Sequence, residues 1–497
     1  MRPSILALAL AGAVACGSVA PAPPASPASA PAPAPARADD AARVIGALVP
    51  VVTVPGAVRY RLDERMAHFH VPGVSVAVVE GGRLAWARGF GVKEAGSPEA
   101  VMPATLFQAG SISKPVTATA TLRLVDQRRL SLDENVNTYL RSWKVPDNEL
   151  TAKASVTLRR ILSHSAGTTV HGFPGYAANE PLPTLLQVLD GEKPANTKPV
   201  RVDLVPGTTS RYSGGGVTIE QLALVEVTGQ AFPALLEQLV LGPLGMKDST
   251  FEQPLPPARA RAASSAHDVT GAVVPGRFHV YPEMAAAGLW TTPADLLAWA
   301  MAIAAARDGR PGAILSKAMA TEMLTVQKAP FGLGPLLEGS GRAFHFGHPG
   351  EDEGFLSELV YFPATGQGAA VMINGGGGRP LLREILYAVA AEYRWPDFEP
   401  PAVTPLPMDP TALDRVVGSY EAFYEVYRVT ATVRREGTRL VVSVPRLGID
   451  SEAVFTSPTS LTTLDGGDAL SIVVAPDGRV TALKFGDFEI PRSSRGP

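Results

Sequence analysis

At 497 residues the chain is long enough for two or three domains, and 46% hydrophobic against 18% charged residues is a globular composition that excludes a disordered or collagen-like chain. A formal net charge of −3 leaves no broad positive field to collect phosphates, so nucleic acid is not an expected partner. The single cysteine, Cys16, excludes an internal disulfide.

The N-terminus reads as an export signal over residues 1–15, with Arg2 as a short basic region, Ile5 to Val14 as the apolar stretch, and Ala13 and Ala15 as a small-residue cleavage site. That stretch is too short to span a bilayer as a helix. Cys16 follows Ala13-Val14-Ala15 directly, an arrangement that resembles a bacterial lipoprotein signal, in which this thiol becomes diacylated. The other reading is ordinary cleavage after Ala15. From Pro21 to Arg37 the chain is almost entirely Ala, Pro and Ser, which stays extended, and residues 16–50 are assigned to a tether. The expected location is exported, periplasmic or on the cell envelope as a lipoprotein, with the membrane a partner only through that lipid.

Val74 to Val79, the turn Gly81-Gly82 and Arg83 to Gly91 predict a β-hairpin. Ile112 to Leu124, Leu158 to Leu162, Ile219 to Val227, Phe232 to Leu241 and Pro293 to Ala305 read as helices separated by Gly and Pro clusters. Phe355 to Phe362 and Ala369 to Asn374 flank a turn at Pro363-Ala364-Thr365-Gly366, and helical spacing follows from Pro380 to Tyr393. Strands at both ends with a helical middle predict an α/β domain over residues 51–398: one antiparallel sheet flanked by helices, with a mainly helical region inserted between its edges. Beyond Pro401, Pro405 and Pro410, short alternating runs with turns at Glu436-Gly437 and Pro476-Asp477-Gly478 predict a small all-β unit over residues 408–497, a barrel or a sandwich.

Ser111-Ile112-Ser113-Lys114 is the one S-x-x-K of the chain. On a helix, positions three apart share a face, so the Lys114 amine can reach the Ser111 hydroxyl. Gly110 permits a tight entry turn, and a helix N-terminus there adds positive potential and free N–H groups. A serine hydroxyl is a poor nucleophile until a base takes its proton, and a desolvated lysine amine can be that base.

The surrounding run Phe107-Gln108-Ala109-Gly110-Ser111-Ile112-Ser113-Lys114-Pro115 resembles the nucleophile segment of β-lactamase-related serine hydrolases, and the resemblance continues in order. It takes in Leu124 to Asp133, Ile161-Leu162-Ser163-His164-Ser165-Ala166-Gly167-Thr168, Tyr212-Ser213-Gly214, Pro243-Leu244-Gly245-Met246 and Gly288-Leu289-Trp290-Thr291-Thr292, spanning about Val54 to Tyr393. The resemblance implies a β-lactamase/transpeptidase-like fold and an acyl-enzyme mechanism. Tyr212 matches the tyrosine of the family's Tyr-x-Asn motif, which shares the base role with the lysine, while Gly214 stands where the motif has its substrate-binding Asn. His348-Pro349-Gly350 matches the third motif, usually Lys-Thr-Gly, in a His-x-Gly form. By that match His348 supplies polarity, Gly350 keeps one side of a strand clear for substrate, and the N–H groups of Ser111 and Glu351 form the oxyanion hole. His164 reads as structural. The β-rich tail, opening on Gly418-Ser419-Tyr420, resembles the lipocalin-like domain often found behind such hydrolases.

Other chemistries fail on motif: there is no G-x-S-x-G elbow, no Walker lysine and no H-E-x-x-H. His68 with His70, and His345 with His348, lack accompanying carboxylates or thiols, so neither a metal nor any other cofactor is expected. The expected substrate is a small ester, a D-amino-acid peptide or a lactam. A non-catalytic, surface-tethered binding protein of the same fold and a true β-lactamase are the alternatives.

Overall fold

A computed structural model of the chain describes residues 38–424, 427–486 and 488–493. Its central sheet has six strands: β1 (Gly73–Glu80), β2 (Arg83–Gly91), β3 (Leu336–Glu338), β4 (His345–Asp352), β5 (Phe355–Phe362) and β6 (Gln367–Ile373). They pair antiparallel in the order β2-β1-β6-β5-β4-β3, so the N-terminal hairpin joins strands almost 300 residues away, Val74 standing opposite Ile373. The strands read as nearly continuous apolar runs because both faces are covered. Val74, Val76 and Val78 face a cluster built with Leu382, Ile385 and Val389 of helix α7 (Arg379–Tyr393), whereas Ala77 and Val79 face the larger core that holds Trp299 and Ile303 of helix α6 (Pro293–Arg307). In chain order, helices α3 (Ser113–Asp126), α4 (Gly214–Thr228) and the short α5 (Met284–Ala287) come between β2 and β3.

Helix α1 (Ala38–Gly46) corrects the tether boundary at residue 50: Val44, Leu48 and Val49 are buried against the α7 side of the sheet, so residues 38–50 belong to the folded body. Cys16 and the Ala/Pro-rich run lie outside the described residues. Among the described residues no helix is long and apolar enough to cross a membrane.

The C-terminal unit is an antiparallel barrel of eight strands in chain order, β7 (Gly418–Tyr424), β8 (Tyr427–Glu436), β9 (Arg439–Val444), β10 (Ile449–Ser457), β11 (Ser460–Thr463), β12 (Ala469–Val474), β13 (Val480–Phe485) and β14 (Phe488–Pro491). It closes where Tyr420 bridges Arg492 and the Ser493 N–H donates to the Ser419 carbonyl at 2.8 Å. Inward residues such as Tyr420, Val433, Val442, Phe455 and Leu483 pack with Leu413 and Val416 of helix α8 (Pro410–Val416) into a core of their own. The alternation predicted for a barrel or sandwich therefore resolves as a barrel.

One buried charge cluster joins the barrel to the domain built on the six-stranded sheet. Arg65 of helix α2 (Leu62–His68) donates to both oxygens of Glu384 on α7, at 2.6 to 3.0 Å, and also pairs with Asp465 from the β11–β12 connection. Its guanidinium also lies over the Tyr60 and Phe69 rings at 4.4 and 4.5 Å. Glu384 is fully buried, so removing its partner strands a charge without water. Arg65→Met is expected to cost about 3 kcal/mol or more in urea unfolding. Arg61→Ala, which breaks the exposed pair with Asp63, should cost about 0.5 kcal/mol or less, and equal losses would contradict this assignment.

Candidate active site

Ser111 sits on a single 3-10 turn, Gly110–Ile112, and α3 begins two residues later at Ser113. The turn is locked from several sides. The Ala109 N–H donates to the Leu289 carbonyl at 2.8 Å, the Ser113 hydroxyl donates to the Gly110 carbonyl at 2.6 Å, and the Ser357 hydroxyl of β5 donates to the Ala109 carbonyl at 3.0 Å. Gly110, at φ 51°, lies so close to β4 that a Cβ there would stand 2.4 Å from the Glu351 nitrogen. Reciprocally, a Cβ on Gly350 would stand 1.9 Å from the Ala109 carbonyl oxygen. The bare side of Gly350 is thus filled by the serine-bearing segment, which corrects the expectation that it faces substrate. The two glycines let the backbones of Ser111 and Glu351 come side by side.

Lys114 Nζ lies 2.9 Å from Ser111 Oγ and donates to the Ala286 carbonyl of α5 at 2.8 Å. The lysine is 4% exposed, whereas Ser111 is half-buried. The nitrogen also lies over the Tyr212 ring, 4.9 Å from its centroid. The Lys114 nitrogen therefore has two oxygen partners, the Ser111 hydroxyl and the Ala286 carbonyl, and one ring face.

Tyr212 is held by rings on several sides: His164 at 4.3 Å, His171 at 4.9 Å, His348 at 5.9 Å and Phe331 at 6.0 Å between centroids. His164, in the left-handed region at φ 51°, accepts the Ser213 N–H on Nδ1 at 3.2 Å, and its carbonyl accepts the Arg211 N–H at 2.7 Å. It therefore fixes the Tyr212 segment from beneath. Burial, and then the Lys114 charge, hold its pKa well below the ordinary histidine value, so the ring stays neutral.

His348 is 3% exposed on the face of β4 turned toward α3. Burial first, then Lys114, push its pKa down to about 3, so this ring too is neutral at physiological pH. Its Nδ1 lies 2.6 Å from the Pro349 carbonyl, so Nδ1 carries the hydrogen and Nε2 is a bare acceptor. Glu351 is exposed and its carboxylate pairs with Arg379 at the start of α7. Among the described residues no group of His, Cys, Asp and Glu side chains is placed to hold a metal ion.

The Beta-lactamase family model matches residues 58–393, which contain the sheet, α3 and every one of these site residues. The chain belongs to the β-lactamase family. It is similar to Penicillin-binding protein 4 of Amycolatopsis lactamdurans, with 29% identity over 385 residues, 73% of this chain and 96% of that protein. Protein flp of Staphylococcus aureus (strain MW2) is 25% identical over 229 residues, 45% of this chain and 42% of its own length, so that match spans less than half of the relative. Among solved structures, the octameric penicillin-binding protein homologue from Pyrococcus abyssi shares the fold, with a TM-score of 0.57 at 22% identity over 86% of this chain and 98% of that one.

Several groups around this β-lactamase-family site were invisible to motif reading. The Ala286 acceptor is a backbone carbonyl, so no side chain announces it. Phe331 is an aromatic residue in a loop, and Glu220, Glu283 and Asp352 are isolated acids with no partner at a telling spacing. All three acids are buried, and burial pushes Glu283 up to about 7 and Asp352 well above the usual carboxylate range. Glu220, on α4, receives the Thr121 hydroxyl from α3 at 2.5 Å, and burial pushes its pKa up to about 8.

The folded chain thus keeps the Glu220 proton up to about pH 8, whereas the unfolded chain releases it near the ordinary value of 4.5. Between those values the folded state binds the extra proton, so this group's contribution to stability falls as pH rises, by about 1.4 kcal/mol per unit. Glu220→Gln cannot ionise. Its stability relative to the parent should therefore increase between about pH 5 and about pH 8 in denaturant titrations, and a difference that stays flat or shrinks would contradict a neutral Glu220.

Proposed function

We propose that the chain is an exported hydrolase that works through an acyl-enzyme on Ser111. The observation that carries this reading is the buried Lys114 nitrogen, 2.9 Å from the Ser111 hydroxyl, with a carbonyl and a ring face as its other partners. In this mechanism Ser111 Oγ attacks the substrate carbonyl carbon while its proton passes to Lys114 in its amine form, with Tyr212 alongside. The Ser111 and Glu351 N–H groups hold the charge that develops on the carbonyl oxygen. The proton then goes to the leaving group, and water, deprotonated by the same pair, clears the ester.

Small esters and short D-amino-acid peptides suit the site better than β-lactams. A lactam carboxylate asks for a cation and a hydroxyl, and its acylamino side chain asks for an amide. Here His348 is neutral, Pro349 has no hydroxyl, and Gly214 has no side chain. Each missing hydrogen bond costs roughly 1 to 3 kcal/mol, so two or three lower specificity by orders of magnitude. kcat/KM for p-nitrophenyl butyrate is expected to exceed that for nitrocefin on the same preparation, and nitrocefin turnover at or above the ester would overturn this choice. Lys114→Ala should lower ester kcat on the order of a thousandfold, since groups in one proton-transfer unit fail together. A loss of only a few fold would move the base role to Tyr212.

The export signal motivates a second proposal: Cys16 carries lipid and the Ala/Pro run spaces the enzyme from the membrane. Labelled palmitate should enter the wild-type protein and not Cys16→Ser. Unlabelled, soluble wild-type protein would favour cleavage at Ala15.

A further inference from the structure

The segment Thr168–Tyr176 is laid across the start of α4, backbone against backbone. The first N–H groups of a helix have no acceptor inside it. Here Gly214 donates to the His171 carbonyl and Gly215 to the Val170 carbonyl, both at 3.0 Å. Gly216 donates to the Ser213 hydroxyl at 3.0 Å, and that hydroxyl donates to the Thr169 carbonyl at 2.7 Å. Glycine permits the approach: a Cβ on Gly215 would stand 2.7 Å from the Thr169 carbonyl oxygen. Val170 is held at φ 63°, which a β-branched residue avoids unless its surroundings impose it. The far end of the segment is pinned as well. The Tyr176 backbone pairs with Val280, and the Asn196 amide donates to the Gly175 carbonyl at 2.8 Å.

This staple brings Phe173 to one particular place. A Cβ on Gly214 would lie 2.8 Å from Phe173 Cε2 and 3.4 Å from Cδ2, so the half-buried ring occupies the volume into which a side chain at 214 would grow. That volume belongs to the substrate-binding amide in the Tyr-x-Asn motif, two residues after the tyrosine. We propose that Phe173 is a specificity-determining residue whose ring replaces that amide with an apolar wall, so that the enzyme selects acyl donors carrying an apolar or aromatic group over donors that present a polar amide there. The inference rests on Ser111 being the nucleophile. The site itself is also lined by rings without charge: Tyr212 lies 6.0 Å from Phe331 between centroids, and His164 and His348 are both held neutral. An amide turned toward such a wall loses its water without gaining a partner.

The test compares p-nitrophenyl phenylacetate with p-nitrophenyl acetate on wild type, Phe173→Leu and Phe173→Ala. The ratio of kcat/KM, phenylacetate over acetate, is expected to fall about tenfold in Phe173→Ala and less in Phe173→Leu, in the range that apolar pocket contacts deliver. An unchanged ratio would overturn the inference. Fluorophosphonate labelling of the wild type separates the two readings: label at Ser111 with an unchanged ratio rejects only the role of Phe173, whereas absence of label rejects the nucleophile and this inference with it. A stability measurement checks the geometry without catalysis. Gly214→Asn should lower Tm, and Phe173→Ala in the same chain should recover part of that loss; a Gly214→Asn Tm equal to wild type would place the ring elsewhere.

Discussion

A lysine nitrogen withdrawn from water beside a serine is the constraint around which the rest of this site is arranged. Burying an amine costs several kcal/mol unless its hydrogens find acceptors. A carboxylate partner would hold the lysine as an ammonium and leave it useless as a base. The chain supplies weaker partners: the Ala286 carbonyl at 2.8 Å and the face of Tyr212. Presenting that carbonyl requires the short turn Met284–Ala287, which Gln221 of α4 steadies by accepting the Ala285 N–H at 2.8 Å. Setting Ser111 against β4 requires two glycines, Gly110 and Gly350, at a backbone approach no Cβ would survive.

Neutrality around Lys114 follows from the same burial. His164 and His348 are kept uncharged by desolvation, reinforced by the lysine itself, and burial pushes the Asp352 carboxyl well above its ordinary range. The barrel stands apart from this chemistry in its core, yet Arg65 ties it to α7 through Glu384 and Asp465.

Much of this was legible in the sequence, and the failures have physical causes. The spacing of Ser111 and Lys114 is a local property of one turn, and the apolar strands Val74 to Val79 and Phe355 to Phe362 announce a sheet buried on both faces. Helix α4 starts at Gly214 and not at Ile219, because three glycines in a row read as a loop until the segment that needs their bare surface is known. The sequence places residues 38–50 in the tether because a short amphipathic helix beside a long Ala/Pro run carries no clear boundary. Barrel and sandwich share one alternation, and the pairing of the first strand with the last, Tyr420 with Arg492 and Ser419 with Ser493, distinguishes them. The Ala286 acceptor and the placement of Phe173 depend on contacts between distant segments, which spacing along one chain does not encode.

Peptide-mapped mass spectrometry after treatment with a fluorophosphonate tests the central claim most directly, since only an activated serine forms the adduct. The account predicts one adduct per chain, on the peptide containing Ser111, and none on Ser111→Ala. An adduct on another serine, or none on folded wild-type protein, would contradict it.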